Sequence, residues 1–160
     1  MKIYFYAKSE AVKEAHQQII KFFKNNGVLI LSNLTGSENL ADLSFEKMDG
    51  LAVEGAEALA SAGYLMALAL AQSKPILYLL PKGSSTPEQL KTLQGNSKMG
   101  KFLTVVFYAP KKLNAALADF IRVMETGEFR KETPLVKFTL RFTPRADRYL
   151  NWLSKEKKLK

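Results

Sequence analysis

The amino-acid sequence predicts a doubly wound α/β fold built on a five-stranded parallel sheet. Runs of β-branched and aromatic residues alternate with segments of helical period, which is typical of βαβ units. The apolar runs of the second, third and fourth strands hardly alternate, as expected for strands buried on both faces. The chain has 160 residues, of which 47% are hydrophobic, so its length suits one main domain with a real core.

The predicted strands and helices follow one another along the first 125 residues or so. The strands are expected at residues 2–7, 28–32, 50–54, 76–80 and 102–108. The helices are expected at residues 10–24, 56–72 and 87–93, and from Pro110 to about residue 125. With this alternation we expect a Rossmann-like sheet in flavodoxin-like order.

Local sequence features define the ends and inner faces of the helices. Ser9 is the expected N-cap of the first helix, and Thr86 with Gln89 predicts a capping box at the third, with Pro87 as its first residue. Apolar residues at spacings of three and four predict the buried faces of the first and last helices: Val12, Ala15, Ile19, Phe22 and Phe23, and Leu113, Leu117, Phe120, Ile121 and Met124.

Composition excludes several classes of function. The chain has no cysteine, so disulfides, thiolate metal sites and a cysteine nucleophile are excluded, and we expect no metal and no cofactor. The one histidine, His16, is interpreted as a solvated or edge-of-core residue without a catalytic role. The start of the chain lacks a signal peptide, and Glu57, Ser61 and Gly63 interrupt its longest apolar stretch. We therefore expect a cytoplasmic protein that does not insert into membranes.

Basic residues are concentrated after the α/β domain. Residues 127–135 are polar and charged and are interpreted as a linker between a domain at 1–126 and a tail at 136–160. Residues 1–129 carry 14 basic and 12 acidic side chains, a net charge of +2, whereas residues 130–160 carry 10 basic and 3 acidic, a net charge of +7. Such a patch suits a polyanion, although solubilising lysines give the same count.

The segment from Asp49 to Tyr64 is the candidate ligand site. Ligands of open α/β sheets bind outside the carboxyl ends of the strands, and Glu54 and Gly55 stand at such an end. Asp49 stands at the entrance of the same predicted strand. The alternative interpretation of both carboxylates is a pair of solvated residues at the boundaries of a strand.

Four short motifs between residues 3 and 77 resemble the nucleoside 2-deoxyribosyltransferase superfamily, which includes the deoxynucleoside 5′-monophosphate N-glycosidases. They are the opening strand 3–7, the Asp-x-x-x-x-Glu strand from Asp49 to Glu54, the pair Gly63-Tyr64 and a Lys-Pro-apolar strand starting at Lys74. The resemblance covers roughly the first 125 residues. It implies a nucleoside- or nucleotide-like ligand, a homodimer, and ligand-binding roles for Tyr6, Asp49, Gly55, Gly63 and Tyr64.

The residues that carry the family's chemistry match less well. The resemblance implies a glutamate nucleophile directly after the Gly-Tyr pair, where this chain has Leu65, which cannot form a glycosyl ester. The family's glycine-rich phosphate turn is replaced by Lys8-Ser9-Glu10-Ala11, and its phosphate-binding serine by Leu59. Asp42 resembles the second catalytic aspartate, and with Glu54 it is a candidate catalytic residue. An alternative is that Glu57 supplies the carboxylate of the pocket instead, although no sequence feature places it there.

Three functions remain open for the domain. One is a nucleoside- or nucleotide-binding domain without the usual nucleophile. The second is an active N-glycosidase or deoxyribosyltransferase, since a short alanine-rich stretch is easily misaligned. In the third interpretation the helix at 56–72 only packs the core, a role that suits Leu65, Met66, Leu68 and Leu70.

The tail resembles the first strand and helix of ribbon-helix-helix DNA-binding proteins. Residues 136–143 alternate, with Val136, Phe138, Leu140 and Phe142 on one face and Lys137, Thr139 and Arg141 on the other. The resemblance implies that Lys137, Thr139 and Arg141 enter the DNA major groove from a dimer. The motif needs a second helix, so whether the native chain continues past Lys160 stays open. There are two alternatives to DNA binding by the tail. It adds a strand to a sheet edge or to a partner, or it is an ordinary docked segment.

Overall fold

The computed structural model describes residues 1–8, 13–35 and 45–127 of the chain, with Thr35 described in its backbone only. Within these ranges five strands form one sheet: β1 (Lys2–Ala7), β2 (Leu29–Ser32), β3 (Gly50–Glu54), β4 (Ile76–Pro81) and β5 (Leu103–Tyr108). Four α-helices connect them: α1 (Glu14–Asn25), α2 (Ala58–Ala71), α3 (Glu88–Gly95) and α4 (Leu113–Thr126). Apart from Gly127, which caps the end of α4, the linker and the tail that the sequence predicts lie outside the described residues.

All pairs of neighbouring strands run parallel, in the order β2-β1-β3-β4-β5. The predicted α/β fold and its flavodoxin-like order are therefore confirmed. β1 and β3 lie next to each other in register, with Ala7 opposite Glu54 at their carboxyl ends. The chain leaves β1 toward β2 on one side and leaves β3 toward β4 on the other, so the topological switch point lies between these two strands.

The helices cover the sheet in two layers. One apolar cluster joins α1 and α4 to one face, through Ile19, Phe23, Leu117 and Phe120. The other joins α2 and α3 to the opposite face, through Ala62, Leu65, Met66 and Leu90. β3 and β4 are buried on both faces, as their unbroken apolar runs predict. β2 differs from the prediction because it is an edge strand, and its Leu29 is 57% exposed.

All four helices begin later than predicted, and two of them also differ from the prediction in their caps. α1 begins at Glu14 and not at residue 10, with Lys13 as its N-cap residue, and the expected cap Ser9 lies outside the described residues. The Nδ1 atom of His16 accepts the backbone N–H of Lys13 at 3.1 Å, so a histidine closes the first turn. α3 begins at Glu88, and Pro87 occupies its N-cap position without a side-chain cap, so the predicted capping box is wrong.

The connection from α3 to β5 contains a glycine that no larger residue can replace without a shift. A Cβ atom on Gly100 would overlap the backbone carbonyl of Gln94, at the end of α3. The N–H of Gly100 donates to the carbonyl of Asn96 at 2.7 Å, which fixes this close approach. The glycine therefore sets how tightly α3 folds back onto the start of β5.

No helix among the described residues is long and apolar enough to span a membrane. The longest apolar helix, α2, has 14 residues, of which Ala58, Ala62, Leu65, Met66 and Ala69 are buried against the sheet. Its apolar composition is thus accounted for largely by core packing.

Candidate functional site at the carboxyl edge of the sheet

The carboxyl ends of the strands carry a buried cluster of three polar side chains around Glu54. One carboxylate oxygen of Glu54 lies 2.8 Å from Nε2 of His16 on α1. The other accepts the hydroxyl of Tyr108, at the end of β5, at 2.7 Å. Glu54 is 3% exposed and His16 is fully buried. The cluster therefore ties α1 and β5 to the end of β3, across the intervening strand β4.

The hydrogen bonds of His16 fix its tautomer. Because the backbone N–H of Lys13 donates to Nδ1, that nitrogen carries the lone pair, and the ring proton must be on Nε2. Nε2 then donates to the Glu54 carboxylate. The ring also packs edge-to-face on Phe5, with centroids 5.9 Å apart. The expectation of a solvated or edge-of-core histidine is wrong, because this ring has polar partners on both nitrogens inside the core.

Two tyrosines beside the cluster stay protonated far into the alkaline range. Burial, and then the hydrogen bond to Glu54, raise the pKa of Tyr108 above its ordinary value of 10.0. Burial, followed by the Glu54 charge, also raises the pKa of Tyr78, whose hydroxyl donates to the carbonyl of Gly55 at 2.9 Å. Both phenols therefore act as hydrogen-bond donors in the native protein.

A side-chain amide closes the end of β1. Asn33, directly after β2, accepts the N–H of Ala7 at 3.1 Å and donates to its carbonyl at 2.8 Å. Both backbone groups of the last residue of β1 are thereby paired. Asn33 thus joins the carboxyl ends of β1 and β2.

Asp49 lies at the other edge of the sheet from Glu54. Its carboxylate accepts the N–H of Lys2 at 2.7 Å, at the amino end of β1. Five residue steps of an extended strand separate the two acidic residues by about 16 Å. Asp49 borders a separate cavity of about 510 Å³ with Glu46, Ser73 and Lys74. Asp49 and Glu54 therefore do not form one site.

Lys74, which lines the amino-edge cavity, makes internal hydrogen bonds. The ammonium group donates to the carbonyls of Phe45 and Glu46, at 2.6 and 2.8 Å. Desolvation lowers the pKa of Lys74 even though Asp49 and Glu46 act in the opposite direction. These contacts support a structural role at the amino edge.

The other candidate residues are distributed along β1, β3 and α2. Tyr6 is buried in the layer under α2, and Gly55 follows Glu54 with φ +95, a conformation that favours glycine. Gly63 and Tyr64 lie in the middle of α2 rather than at its start, and the Tyr64 side chain is 72% exposed. Leu65, which stands where the resemblance implies the nucleophile, is 3% exposed and packs in the core. Asp42, Lys137, Thr139 and Arg141 lie outside the described residues.

A groove between α2 and α3 opens beside the β3–α2 connection. Its volume is about 600 Å³, and its walls are mostly small or apolar, including Ala56, Ala60, Gly63, Met66 and Leu93. Glu57 and Gln89 supply polar groups, and Glu57 is exposed. Glu57 is thus an accessible carboxylate close to the end of β3, in contrast to the buried Glu54.

Exposed lysines surround the carboxyl edge. Lys8 follows β1, Lys13 precedes α1, Lys82 follows β4, and Lys111 and Lys112 follow β5. The backbone N–H of Lys82 donates to the carbonyl of Tyr108 at 2.8 Å, which holds the ends of β4 and β5 together. Several cations near one edge attract anionic ligands. In the described part of the chain no cluster of three or more histidines and acidic residues is arranged to hold a metal ion.

Sequence reasoning missed the roles of His16 and Tyr108. Neither residue stands in a motif, and they are 38 and 54 positions from Glu54. One signal was present in the sequence. A glutamate at the end of an otherwise apolar, buried strand requires hydrogen-bond donors. The single histidine and the tyrosine at the end of the fifth strand are side chains that can supply them.

Comparison with known proteins supports the fold and goes no further. No protein-family model and no curated protein matches the chain. Among solved structures, a de novo designed Rossmann 2x3 fold protein matches 84% of this chain and 98% of its own, with 15% identity and a TM-score of 0.56. A fusion carrying a yeast Spc42 trimeric coiled coil gives a TM-score of 0.48 at 14% identity, covering 97% of this chain and 95% of its own. The first match shows a Rossmann-like fold; the second adds nothing to it.

Proposed function

We propose that the domain binds a nucleotide-like small molecule at the carboxyl edge of its sheet and does not cleave it through a glutamate ester. The observation that carries the proposal is the switch point between β1 and β3, at a carboxyl edge whose connections carry exposed lysines. In doubly wound sheets this crevice is where ligands bind. The resemblance to the nucleoside 2-deoxyribosyltransferase superfamily supplies the ligand class.

The lysines favour a phosphorylated ligand over an uncharged nucleoside. The family's glycine-rich turn and serine are missing, so backbone amides at that turn are not the expected phosphate ligands. Lys82 lies in the connection after β4 and Lys111 in the connection after β5. The backbone N–H of Lys82 donates to the carbonyl of Tyr108, the last residue of β5. Lysine side chains on these connections supply the positive charge that a phosphate requires.

This chain has no glutamate at the position where the resemblance implies the nucleophile. Leu65 has no carboxylate, and its buried position leaves no room for one without loss of core packing. Glu54 is inaccessible, and each of its oxygens already accepts a hydrogen bond. A binding role is the function that these contacts favour.

Calorimetric titration with a panel of deoxynucleosides and their 5′-monophosphates tests the proposal. We expect the monophosphates to bind more tightly, and Lys82→Gln with Lys111→Gln to weaken their binding by about tenfold. Lys98→Gln with Lys101→Gln, which removes the same charge at the start of β5, is the control. Equal affinity for nucleosides and monophosphates would contradict the phosphate contact, and binding of neither would refute the proposal.

The alternative is an active N-glycosidase that uses the accessible Glu57. Chromatography of the same mixtures detects release of free base. We expect none from any member of the panel. Release that disappears in Glu57→Gln but persists in Glu88→Gln, an acidic residue at the start of α3, would establish the enzyme instead.

The net charge of +7 in residues 130–160 favours a second function, DNA binding through the tail. Duplex binding should then weaken steeply as salt rises, because phosphate contacts release counterions. Lys137→Ala with Arg141→Ala should reduce it more than Lys21→Ala with Lys24→Ala on α1. Equal effects of the two pairs would exclude a specific role for the alternating segment.

A further inference from the structure

β5 is an outer strand of the described sheet, and most of its side chains are apolar. It is six residues long, with the sequence Leu103-Thr-Val-Val-Phe-Tyr108 and no charged side chain or proline. β2, at the other edge, is shorter, with four residues. Edge strands in soluble proteins are commonly protected by charges, prolines, bulges or short length, because their outer N–H and C=O groups pair readily with another strand. Within β5 none of these protections is present.

The side chains of β5 are partly accessible. Thr104, Val105 and Val106 are half-buried, and Phe107 is 49% exposed. Leu103 and Tyr108 are buried at the two ends, so they hold the strand in the sheet. An extended partner added along this edge would therefore cover Phe107 and gain main-chain hydrogen bonds without moving β5.

The surroundings of β5 are strongly basic. From residue 89 to residue 118 the chain contains five lysines and no acidic residue. Lys98 and Lys101 precede the strand, Lys111 and Lys112 follow it, and all four are exposed. The two ends of the apolar edge therefore both present positive charge.

The charge pattern favours some partners over others for this outer strand of the described sheet. Two copies of β5 paired with each other, in either direction, would bring lysines of one copy next to lysines of the other. The chain's own residues 130–160, with a net charge of +7, meet the same repulsion. A partner with acidic residues at both ends of a short apolar segment meets attraction at both ends.

We propose that the edge of β5 binds an extended peptide of a partner protein, with an uncharged β-forming centre and acidic flanks. Binding adds a strand to the sheet, with main-chain pairing along β5, contact on Phe107, and charge pairs at the lysines. This surface is separate from the carboxyl-edge ligand site, apart from the shared Lys111 and Lys112.

Fluorescence anisotropy with labelled synthetic peptides tests the proposal on the full chain. The probe is Glu-Asp-Val-Thr-Val-Thr-Val-Asp-Glu, and its matched control, Glu-Asp-Val-Pro-Val-Pro-Val-Asp-Glu, has the same charge but cannot pair as a strand. We expect the first to bind at least about tenfold more tightly than the second, and a version with lysine flanks not to bind. Hydrogen exchange should slow in β5 when the first peptide is added.

Variants assign the contact to this edge. Phe107→Thr and the pair Lys98→Glu with Lys101→Glu should each weaken peptide binding, whereas Lys21→Glu with Lys24→Glu, an identical charge change on α1, should not. None of these changes should alter nucleotide binding at the carboxyl edge. Equal binding of the threonine and proline peptides would reduce the effect to diffuse charge and overturn the proposal. If neither peptide binds, the proposal is overturned as well. The lysines would then serve to prevent edge-to-edge association of β5.

Discussion

The hydroxyl of Tyr108 donates to the carboxylate of Glu54 at 2.7 Å, across the strand that separates them. Glu54 also accepts from His16, so each of its oxygens has one donor. No buried side-chain nitrogen or oxygen among the residues placed by the structure lacks a hydrogen-bond partner. These two donors replace the water that the carboxylate loses when it is buried.

Removing the Tyr108 hydroxyl should destabilise the protein measurably. Tyr108→Phe leaves one oxygen of a buried carboxylate without its donor, and we expect a loss of about 1–3 kcal/mol in the free energy of unfolding. Urea titration followed by circular dichroism measures it. Tyr64→Phe, at a side chain that is 72% exposed, is the control and should change the free energy little. Similar values for the two variants would show that the Glu54 contact is unimportant for stability.

Alkaline pH should destabilise the fold through the same tyrosines. Burial raises the pKa of Tyr108 and Tyr78 above the ordinary value of 10.0, so the unfolded chain loses these protons before the native protein does. Their contribution to stability is complete below about pH 10 and is lost as the pH rises above it. Thermal unfolding at several pH values, with absorbance near 295 nm as a measure of tyrosinate, checks this. Ionisation of all six tyrosines near pH 10 without unfolding would contradict it.

The ring of His16 should carry its proton on Nε2. The chain has one histidine, so its imidazole signals in a nitrogen NMR spectrum need no assignment by mutation. At neutral pH we expect an unprotonated Nδ1 and a slowly exchanging proton on Nε2, because Lys13 donates to Nδ1 and the ring is fully buried. A proton on Nδ1 would refute the capping contact at the start of α1.

Adding one methyl group at Gly100 should cost stability, whereas adding one at Gly95 should not. The new Cβ at residue 100 meets the backbone of Gln94, which cannot move as a side chain does, and we expect a loss of about 1–3 kcal/mol. At Gly95 nothing lies within 4 Å of an added Cβ, so Gly95→Ala is the matched control and should be neutral or slightly stabilising. Melting temperatures of the two variants separate these outcomes. Equal melting temperatures would mean that the turn before β5 relaxes freely.

The strands were predictable because burial on both faces leaves a strong apolar pattern. β1 and β3 occur at the predicted residues, 2–7 and 50–54, and each of the other three strands differs by one residue at one end. The start of α1 was not predictable from capping preferences, since the group that closes its first turn is the ring of His16. Helix capping by histidine depends on where the rest of the fold holds the ring, and here Glu54 holds it.

The location of the candidate site was predictable only in part. The position of Glu54 at a carboxyl end follows from the strand pattern, but its partners come from α1 and β5, which no local motif connects with β3. Asp49 and Glu54 are close in sequence, yet they lie at opposite ends of β3, because its five extended residues span the full length of the strand. Proximity along a strand is therefore a poor guide to a shared site.

The buried carboxylate also has a consequence for how the sheet assembles. Successive side chains of a strand face opposite sides, so a slip of β3 by one residue would turn Glu54 away from His16 and Tyr108 and into the layer of Ala58, Ala62 and Leu65. An apolar residue at this position would tolerate either pairing, whereas an unpaired carboxylate in that layer would be strongly unfavourable. Glu54 thus disfavours pairings of β3 that are shifted by one residue, because they would bury its carboxylate away from both donors.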